Sequence, residues 1–280
     1  MPTPIPTNYV LYLDPLAGFT PGGTTWQDQS LNEQVYTFNN TNYTYENTTG
    51  SFLLPVGGSG TIATQNAPQP GGIGVGTSAK TIIAWIKVNY ATVINGDFFL
   101  VYQIGRNVNS GPTNSQLIGL KLDVVDVGPG GSNVLVPGVF NAPGYRYSSF
   151  SVGANTTYWQ DSDWHMISYT KASNGTVASQ KLYVDGIELT AYATSNNTNV
   201  VSTSVNNTPL GTNPRMVING INNAFGISTI PATIGELWIY DELLTQPDLL
   251  NFYEQTLTRY YPPAPVDLSN GRSFQQGFNG

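Results

Sequence analysis

One stretch of the chain, from Asp163 to Leu189, specifies three consecutive strands and the two reversals between them. Trp164 to Lys171 alternates as a half-buried strand does. Two turn signals follow, Ser173-Asn174-Gly175 and Asp185-Gly186. Asn, Asp and Gly all tolerate the positive φ that a tight reversal needs, and Asp-Gly between apolar runs is a strong hairpin signal. The stretch therefore predicts a three-stranded antiparallel meander.

Short strands separated by turn signals are also predicted along most of the remaining chain. They fall at residues 9–14, 35–38, 51–56, 80–89, 98–104, 116–125, 133–136, 146–152, 215–219 and 232–240. The rest of the segment 39–76 is dense in Asn, Thr, Gly and Pro and is expected to form surface loops. Many short strands of this kind are typical of a β-sandwich.

One helix is predicted, from Gln246 to Arg259. Thr245 is its expected N-cap and Asp248 the acidic partner of a capping box, while Pro247 fits the first turn. With that helix placed, we expect a single domain at 9–261, a Pro-rich N-terminal arm at 1–8 and a C-terminal tail at 262–280.

Three motifs in this order resemble the concanavalin A-like lectin/glucanase superfamily, in its laminin-G-like branch. The first is Trp164-His165 followed by Leu182-Tyr183-Val184-Asp185-Gly186, and the second is Ile234 to Leu244, similar to the closing strand of that family. The third is the turn Trp26 to Asn32, in which Leu31 replaces the usual Gly. The resemblance implies an all-β fold, a two-sheet antiparallel jelly-roll sandwich (concanavalin A-like) with one short C-terminal helix.

Charge and composition disfavour several kinds of partner. The net charge is −7 and the ten Lys and Arg residues are scattered, so neither nucleic acid nor an acidic membrane surface is an expected partner. No apolar run approaches the roughly 20 residues that span a bilayer, and the first residues do not resemble a secretory signal. The chain has no Cys, hence no thiolate metal site and no Cys nucleophile.

Enzymatic chemistry is not expected. A retaining glycosidase needs two carboxylates about 5 Å apart, and the E-x-D-x-E type pattern of the glucanase branch is absent. Glu236 would be the residue to suspect, although a structural acid is the simpler interpretation. His165 is the only histidine, and it occupies a strand position where the family carries a structural His.

Calcium is the cofactor that the resemblance suggests, although none is required. Ca²⁺ takes six to eight oxygen ligands, several of them from carboxylates and loop carbonyls. Asp161 and Asp163 lie two residues apart just before Trp164, and Asp126 lies beside a Gly-rich loop. Neither place has a motif of fixed ligand spacing, so solvated loop acids are the alternative interpretation.

A sugar site would combine an exposed aromatic ring with polar side chains, because pyranose faces are apolar and their edges polar. Tyr145, Tyr147 and Trp159 flank loops in a suitable setting. The alternative is that these rings pack inside the sandwich, as most aromatic residues of such a chain must.

These observations leave three functional hypotheses. The first is a non-enzymatic structural, decoration or adhesion protein on the surface of a virus or phage particle, contacting other virion proteins or itself through its terminal arms, and displaying a lectin-like module that binds host glycans. The second is a carbohydrate-binding module of a secreted or cell-surface protein. The third, a glycoside hydrolase, lacks its carboxylate pair.

Overall fold

The computed structural model describes eleven ranges of the chain: 4–38, 42–55, 78–89, 98–106, 116–126, 133–141, 146–149, 161–176, 180–189, 215–219 and 230–262. They contain fifteen strands and two helices. The strands are β1 (Leu11–Leu13), β2 (Thr25–Gln27), β3 (Val35–Thr37), β4 (Thr44–Glu46), β5 (Ser51–Leu54), β6 (Lys80–Val88), β7 (Phe98–Arg106), β8 (Gln116–Asp126), β9 (Asn133–Asn141), β10 (Arg146–Ser149), β11 (Trp164–Lys171), β12 (Lys181–Val184), β13 (Ile187–Glu188), β14 (Arg215–Val217) and β15 (Ala232–Tyr240). The helices are α1 (Pro15–Gly18) and α2 (Gln246–Tyr260).

The strands form two main antiparallel sheets. The larger has the order β13-β12-β11-β6-β15-β5-β4, with β1 paired to β15 beside β5, and the smaller has the order β10-β9-β8-β7-β14. A separate hairpin pairs β2 with β3. The all-β antiparallel architecture with one C-terminal helix is thus confirmed.

The central meander forms because its turn residues adopt the predicted conformations. Asn174 has φ 53°, Asp185 has φ 53° and Gly186 has φ 77°. Asp185 and Gly186 connect Val184 directly to Ile187 across a two-residue hairpin loop. Positive φ at both central positions gives a turn whose twist matches that of the flanking strands.

The large sheet is buried on both faces, and the alternation of β6 shows how. Ile82, Ala84 and Ile86 belong to the core cluster that also takes side chains from β7 and β8 of the smaller sheet. Ile83 and Trp85 point the other way, into a second cluster with residues of α2. Successive strand residues face opposite sides of a sheet. The sandwich core therefore lies on one side of the large sheet and α2 on the other.

Helix α2 begins with the predicted capping box. Asp248 accepts hydrogen bonds from the backbone N–H of Thr245 at 2.8 Å and from its hydroxyl at 2.6 Å. Leu249 and Phe252 are buried against the sheet. Neither described helix has the length or apolar content to span a bilayer.

Two local expectations were wrong. The segment predicted as loops around 51–56 also contains the strand β4, whose Tyr45 lies opposite Phe52 of β5. The turn predicted at Trp26–Asn32 begins inside strand β2, where Trp26 pairs with Tyr36. In both cases aromatic packing stabilises a strand in a polar sequence: Phe19, Trp26 and Tyr45 all contact the Phe52 ring.

Two residues of the predicted N-terminal arm, Ile5 and Pro6, lie against the helix side of the large sheet. Ile5 packs on the cluster beneath α2, and the Tyr240 hydroxyl donates to the carbonyl of Pro6 at 3.1 Å. The tail from residue 263 onward lies outside the described residues.

Candidate functional site

The loop before β11 is the best-described place where predicted site residues meet. Asp161 accepts a hydrogen bond from the backbone N–H of Asp163 at 2.8 Å, across Ser162, whose φ is 67°. The same oxygen of Asp161 lies 3.1 Å from Nε2 of His165. Asp161 therefore contacts the backbone of Asp163, and one oxygen of Asp161 is bonded within the protein. A calcium site at Asp161 and Asp163 stays a prediction.

His165 lies between two carboxylates. Its Nδ1 is 2.7 Å from Oδ2 of Asp185, whose other oxygen accepts the backbone N–H of Met166 at 2.8 Å. Burial by itself would lower the pKa of His165, but hydrogen bonding and attraction from Asp185, and then from Asp161, outweigh it and raise the pKa. The arrangement connects the Asp-Gly turn to the start of β11, in agreement with the structural role expected for this histidine. Asp185 was not predicted as its partner, because the contact depends on the hairpin returning beside β11.

A second cluster surrounds Glu236, the residue suspected in the event of hydrolysis. Glu236 Oε1 is 2.7 Å from the Tyr12 hydroxyl and 2.5 Å from Nη1 of Arg259, and Oε2 accepts from the Tyr260 hydroxyl at 3.2 Å. Arg259 also donates to Asp14 at 2.8 Å. Both oxygens of Glu236 are engaged, and the residue is only 4% exposed.

The surroundings of Glu236 raise its pKa. Burial raises the pKa of Glu236 to about 7, and the Asp14 carboxylate adds to this, whereas Arg259 and the hydroxyl of Tyr12 oppose it. The carboxylates of Asp14 and Glu236 lie close together, because both are bonded to Arg259 and to the Tyr12 hydroxyl. They do not have the sequence pattern of a glucanase. Because they are covered by β1 and α2, they are suited to holding the helix and not to receiving a sugar chain.

Two buried lysines lie opposite each other at the far end of the β6–β11 pair. Lys80 donates to Asp241 at 2.9 Å, while Lys171 donates to the carbonyl of Ser78 at 2.7 Å. Burial, and then repulsion from Lys80, lower the pKa of Lys171 to about 8. The sequence places Lys80 at the start of one strand and Lys171 at the end of another, but their pairing depends on the register of β6 against β11, which is a tertiary property.

The remaining predicted site residues are only partly described. Tyr147 lies on β10, the edge strand of the smaller sheet, opposite Phe140 of β9. Asp126 ends β8 opposite Asn133. Tyr145 and Trp159 lie outside the described residues. The sugar-binding role of Tyr145, Tyr147 and Trp159 stays a prediction.

Calcium binding likewise stays a prediction. Within the described ranges, no group of three or more His, Asp or Glu side chains is arranged to hold a metal ion. Asp161 and Asp163 are therefore two candidate calcium ligands that would need further oxygen donors.

Comparison with known proteins shows similarity in fold but not in sequence. No protein-family model matches the chain, and no curated protein matches it. Solved structures do. The chain resembles the botulinum neurotoxin serotype D ligand-binding domain in complex with N-acetylneuraminic acid, with a TM-score of 0.58 and 14% identity over 89% of this chain. It shares the β-sandwich of toxin binding domains.

Two other toxin structures are similar to this chain to the same degree. The binding domain of botulinum neurotoxin DC in complex with SialylT has a TM-score of 0.55 and 17% identity, covering 89% of this chain and 52% of that one. The receptor-binding domain of mosaic serotype C/D, with tetraethylene glycol on its Hcn sub-domain and a sulfate ion at a putative active site, has a TM-score of 0.55, 14% identity and the same 89% coverage of this chain. The chain spans about half the length of these domains. At such identities the likeness establishes the fold, and membership of the concanavalin A-like superfamily stays a prediction.

Proposed function

We propose that this chain is a non-catalytic adhesion module that binds carbohydrate. The observation that carries the proposal is the sandwich it has in common with toxin binding domains, two of which are named as complexes with N-acetylneuraminic acid and with SialylT. The chain spans only about half the length of each of these toxin domains. That it binds the same class of ligand as they do is therefore proposed. The sialylated class is the first glycan class to test.

The chemistry of the described residues supports a module without catalysis. The suspected acid, Glu236, is covered and has both oxygens bonded to Tyr12, Arg259 and Tyr260. His165 has Asp185 and Asp161 at its two ring nitrogens. Each of these ionisable groups connects one segment of the fold to another, and a general acid needs instead to reach the bond it cleaves.

A glycan array tests the proposal directly. Purified full-length protein is screened against sialylated glycans and their desialylated counterparts, in calcium and in chelator. We expect saturable binding to a defined glycan set, with hydrolysis products absent from the same incubations. A blank array with folded protein contradicts carbohydrate binding, and released sugar contradicts the non-catalytic assignment.

Point variants then separate the two predicted kinds of contact. If an aromatic platform holds the sugar, Tyr145→Ala, Tyr147→Ala or Trp159→Ala lowers affinity about tenfold while chelator has no effect. If calcium holds it, chelator abolishes binding, and Asp161→Asn, Asp163→Asn or Asp126→Asn has the same effect. Leu31→Ala and Glu254→Gln are the controls, because both positions are exposed on the described surface. Loss of binding in these controls would indicate a non-specific surface effect.

We further propose a virion surface as the setting, with an extracellular location as the alternative. The supporting observation is composition: charged residues are 10% of the chain and Cys is absent, while the polar surface is rich in Asn, Thr and Gly. A virion component should sediment with particles or assemble into symmetric oligomers through its terminal segments, whereas an isolated binding module should be monomeric. Light scattering on the purified chain distinguishes these outcomes.

A further inference from the structure

The surroundings of Glu236 join three parts of the chain that are distant in sequence. Tyr12 comes from β1 and Asp14 from the residue after it; Glu236 comes from β15, and Arg259 and Tyr260 come from the last turn of α2. We call these five residues the helix clamp. Their contacts are direct, since Arg259 is bonded to both carboxylates and the Tyr12 hydroxyl lies within 3.1 Å of both.

The position of Glu236 follows from an irregularity in β15. The register of β15 against β6 shifts between Ile234 and Leu237, so that Gly235 and Glu236 form a bulge. The backbone N–H of Glu236 donates to the Tyr260 hydroxyl at 2.9 Å. Gly235 makes this approach possible, because a Cβ there would overlap the same hydroxyl. The bulge thus presents Glu236 to the end of α2.

The net charge of the clamp depends on whether Glu236 is protonated. One Arg offsets one carboxylate, so with Glu236 ionised the five residues carry an excess of one negative charge, and with Glu236 protonated they are neutral. Asp14 is 9% exposed and Glu236 only 4%, so water screens that excess poorly. Burial and Asp14 raise the pKa of Glu236 into the neutral range.

The other elements that surround the clamp contribute mainly neutral groups. Tyr45 of β4 faces Arg259 and Asp14, and the remaining donors of Arg259 go to the carbonyls of Thr49 at 2.6 Å and Gly50 at 3.2 Å. Among the described residues that face Glu236, Arg259 is the one cation that acts on it. The last turn of α2 therefore covers the carboxylates of Asp14 and Glu236 while supplying one cation to both. Opening of this turn would expose Glu236 to water and remove the burial that disfavours its ionised form.

We propose that Glu236 makes the attachment of α2 to the sandwich proton-dependent: the last turn of the helix is held firmly when Glu236 is protonated and opens more readily when Glu236 is ionised. The switch operates through the fold and does not depend on carbohydrate. Failure of sugar binding would leave it untouched, and its failure would leave the proposed function untouched.

Amide hydrogen exchange of the last turn of α2, corrected for the intrinsic rate at each pH, tests this. If opening requires the loss of one proton from Glu236, the protection factor of this turn should fall by up to tenfold per pH unit between about pH 5 and 7. It should level off at higher pH. A pH-independent protection factor over this range would contradict the proposal.

Three variants identify the titrating group. Glu236→Gln cannot ionise, so its protection factor should stay flat from pH 5 to 8. Asp14→Asn removes the like charge, so its transition should move to lower pH. His165→Gln should keep the wild-type transition, because His165 is an ionisable residue with a raised pKa that lies outside the clamp. If Glu236→Gln does not fold, the Asp14→Asn shift decides: an unchanged transition overturns the proposal, as does its loss in His165→Gln.

Discussion

At the scale of single residues, Gly186 is under two constraints at once. Its φ is 77°, a conformation that L side chains rarely adopt. In addition, a Cβ at this position would lie 2.6 Å from the Cα of Leu250 in α2. Gly186 therefore both closes the hairpin between β12 and β13 and lets that hairpin contact the helix backbone.

Gly186→Ala should destabilise the protein by more than the conformational cost alone. Left-handed backbone at a residue other than Gly costs about 1–3 kcal/mol, and the overlap with Leu250 adds to it because backbone atoms cannot rotate away. Urea unfolding measures the loss. Gly22→Ala is a matched control, since Gly22 has φ 80° but nothing within 4 Å of the added Cβ. Equal losses in the two variants would show that contact with Leu250 is unimportant.

At the scale of elements, α2 depends on its first turn as well as on its apolar face. The Asp248 carboxylate binds the N–H and hydroxyl of Thr245, and a carboxylate near a helix N-terminus is also favoured by the helix dipole.

Asp248→Ala should therefore lower the free energy of unfolding by about 1 kcal/mol, the usual value of such a cap. Thr258→Ala is the control, because Thr258 is an exposed position in the same helix and Ala has the higher helix propensity. The comparison is made by thermal or urea unfolding. A loss in the control as large as that in Asp248→Ala would contradict a capping role.

At the scale of the whole molecule, buried ionisable groups give stability an unusual dependence on pH. The pKa of Glu236 is raised in the folded state, from 4.5 to about 7, so this group favours folding most at low pH and its contribution is lost as pH rises through that window. For Lys171 the pKa is lowered, from 10.5 to about 8. The unfolded chain then binds more protons between those values, and stability increases with pH there. Together these two groups predict a minimum of stability near pH 7–8.

Lys171→Met should flatten the alkaline part of this curve. Urea unfolding at several pH values between 8 and 10.5 should show rising stability in the wild-type protein and a weaker rise in the variant. Lys181→Met is the control, since Lys181 is exposed and its hydrogen bond to Glu188 raises its pKa. An unchanged slope in Lys171→Met would contradict the assignment.

The sequence by itself determined the local features of this protein. The turns at Asn174 and Asp185-Gly186, the two faces of β6 and the capping box at Thr245 were all predictable, because each depends on backbone preferences or on side chains a few residues apart. The bounds of β15, Ala232–Tyr240, agree with the prediction for the same reason.

Only the tertiary structure decided which distant residues meet. β4 is a strand because the ring of Tyr45 packs on Phe52, and Glu236 is buried because a bulge in β15 turns it towards Tyr12 and Arg259. The pairing of His165 with Asp185 likewise needs the hairpin to fold back. Such contacts depend on register and on the approach of whole elements, which a linear pattern of residue types does not encode.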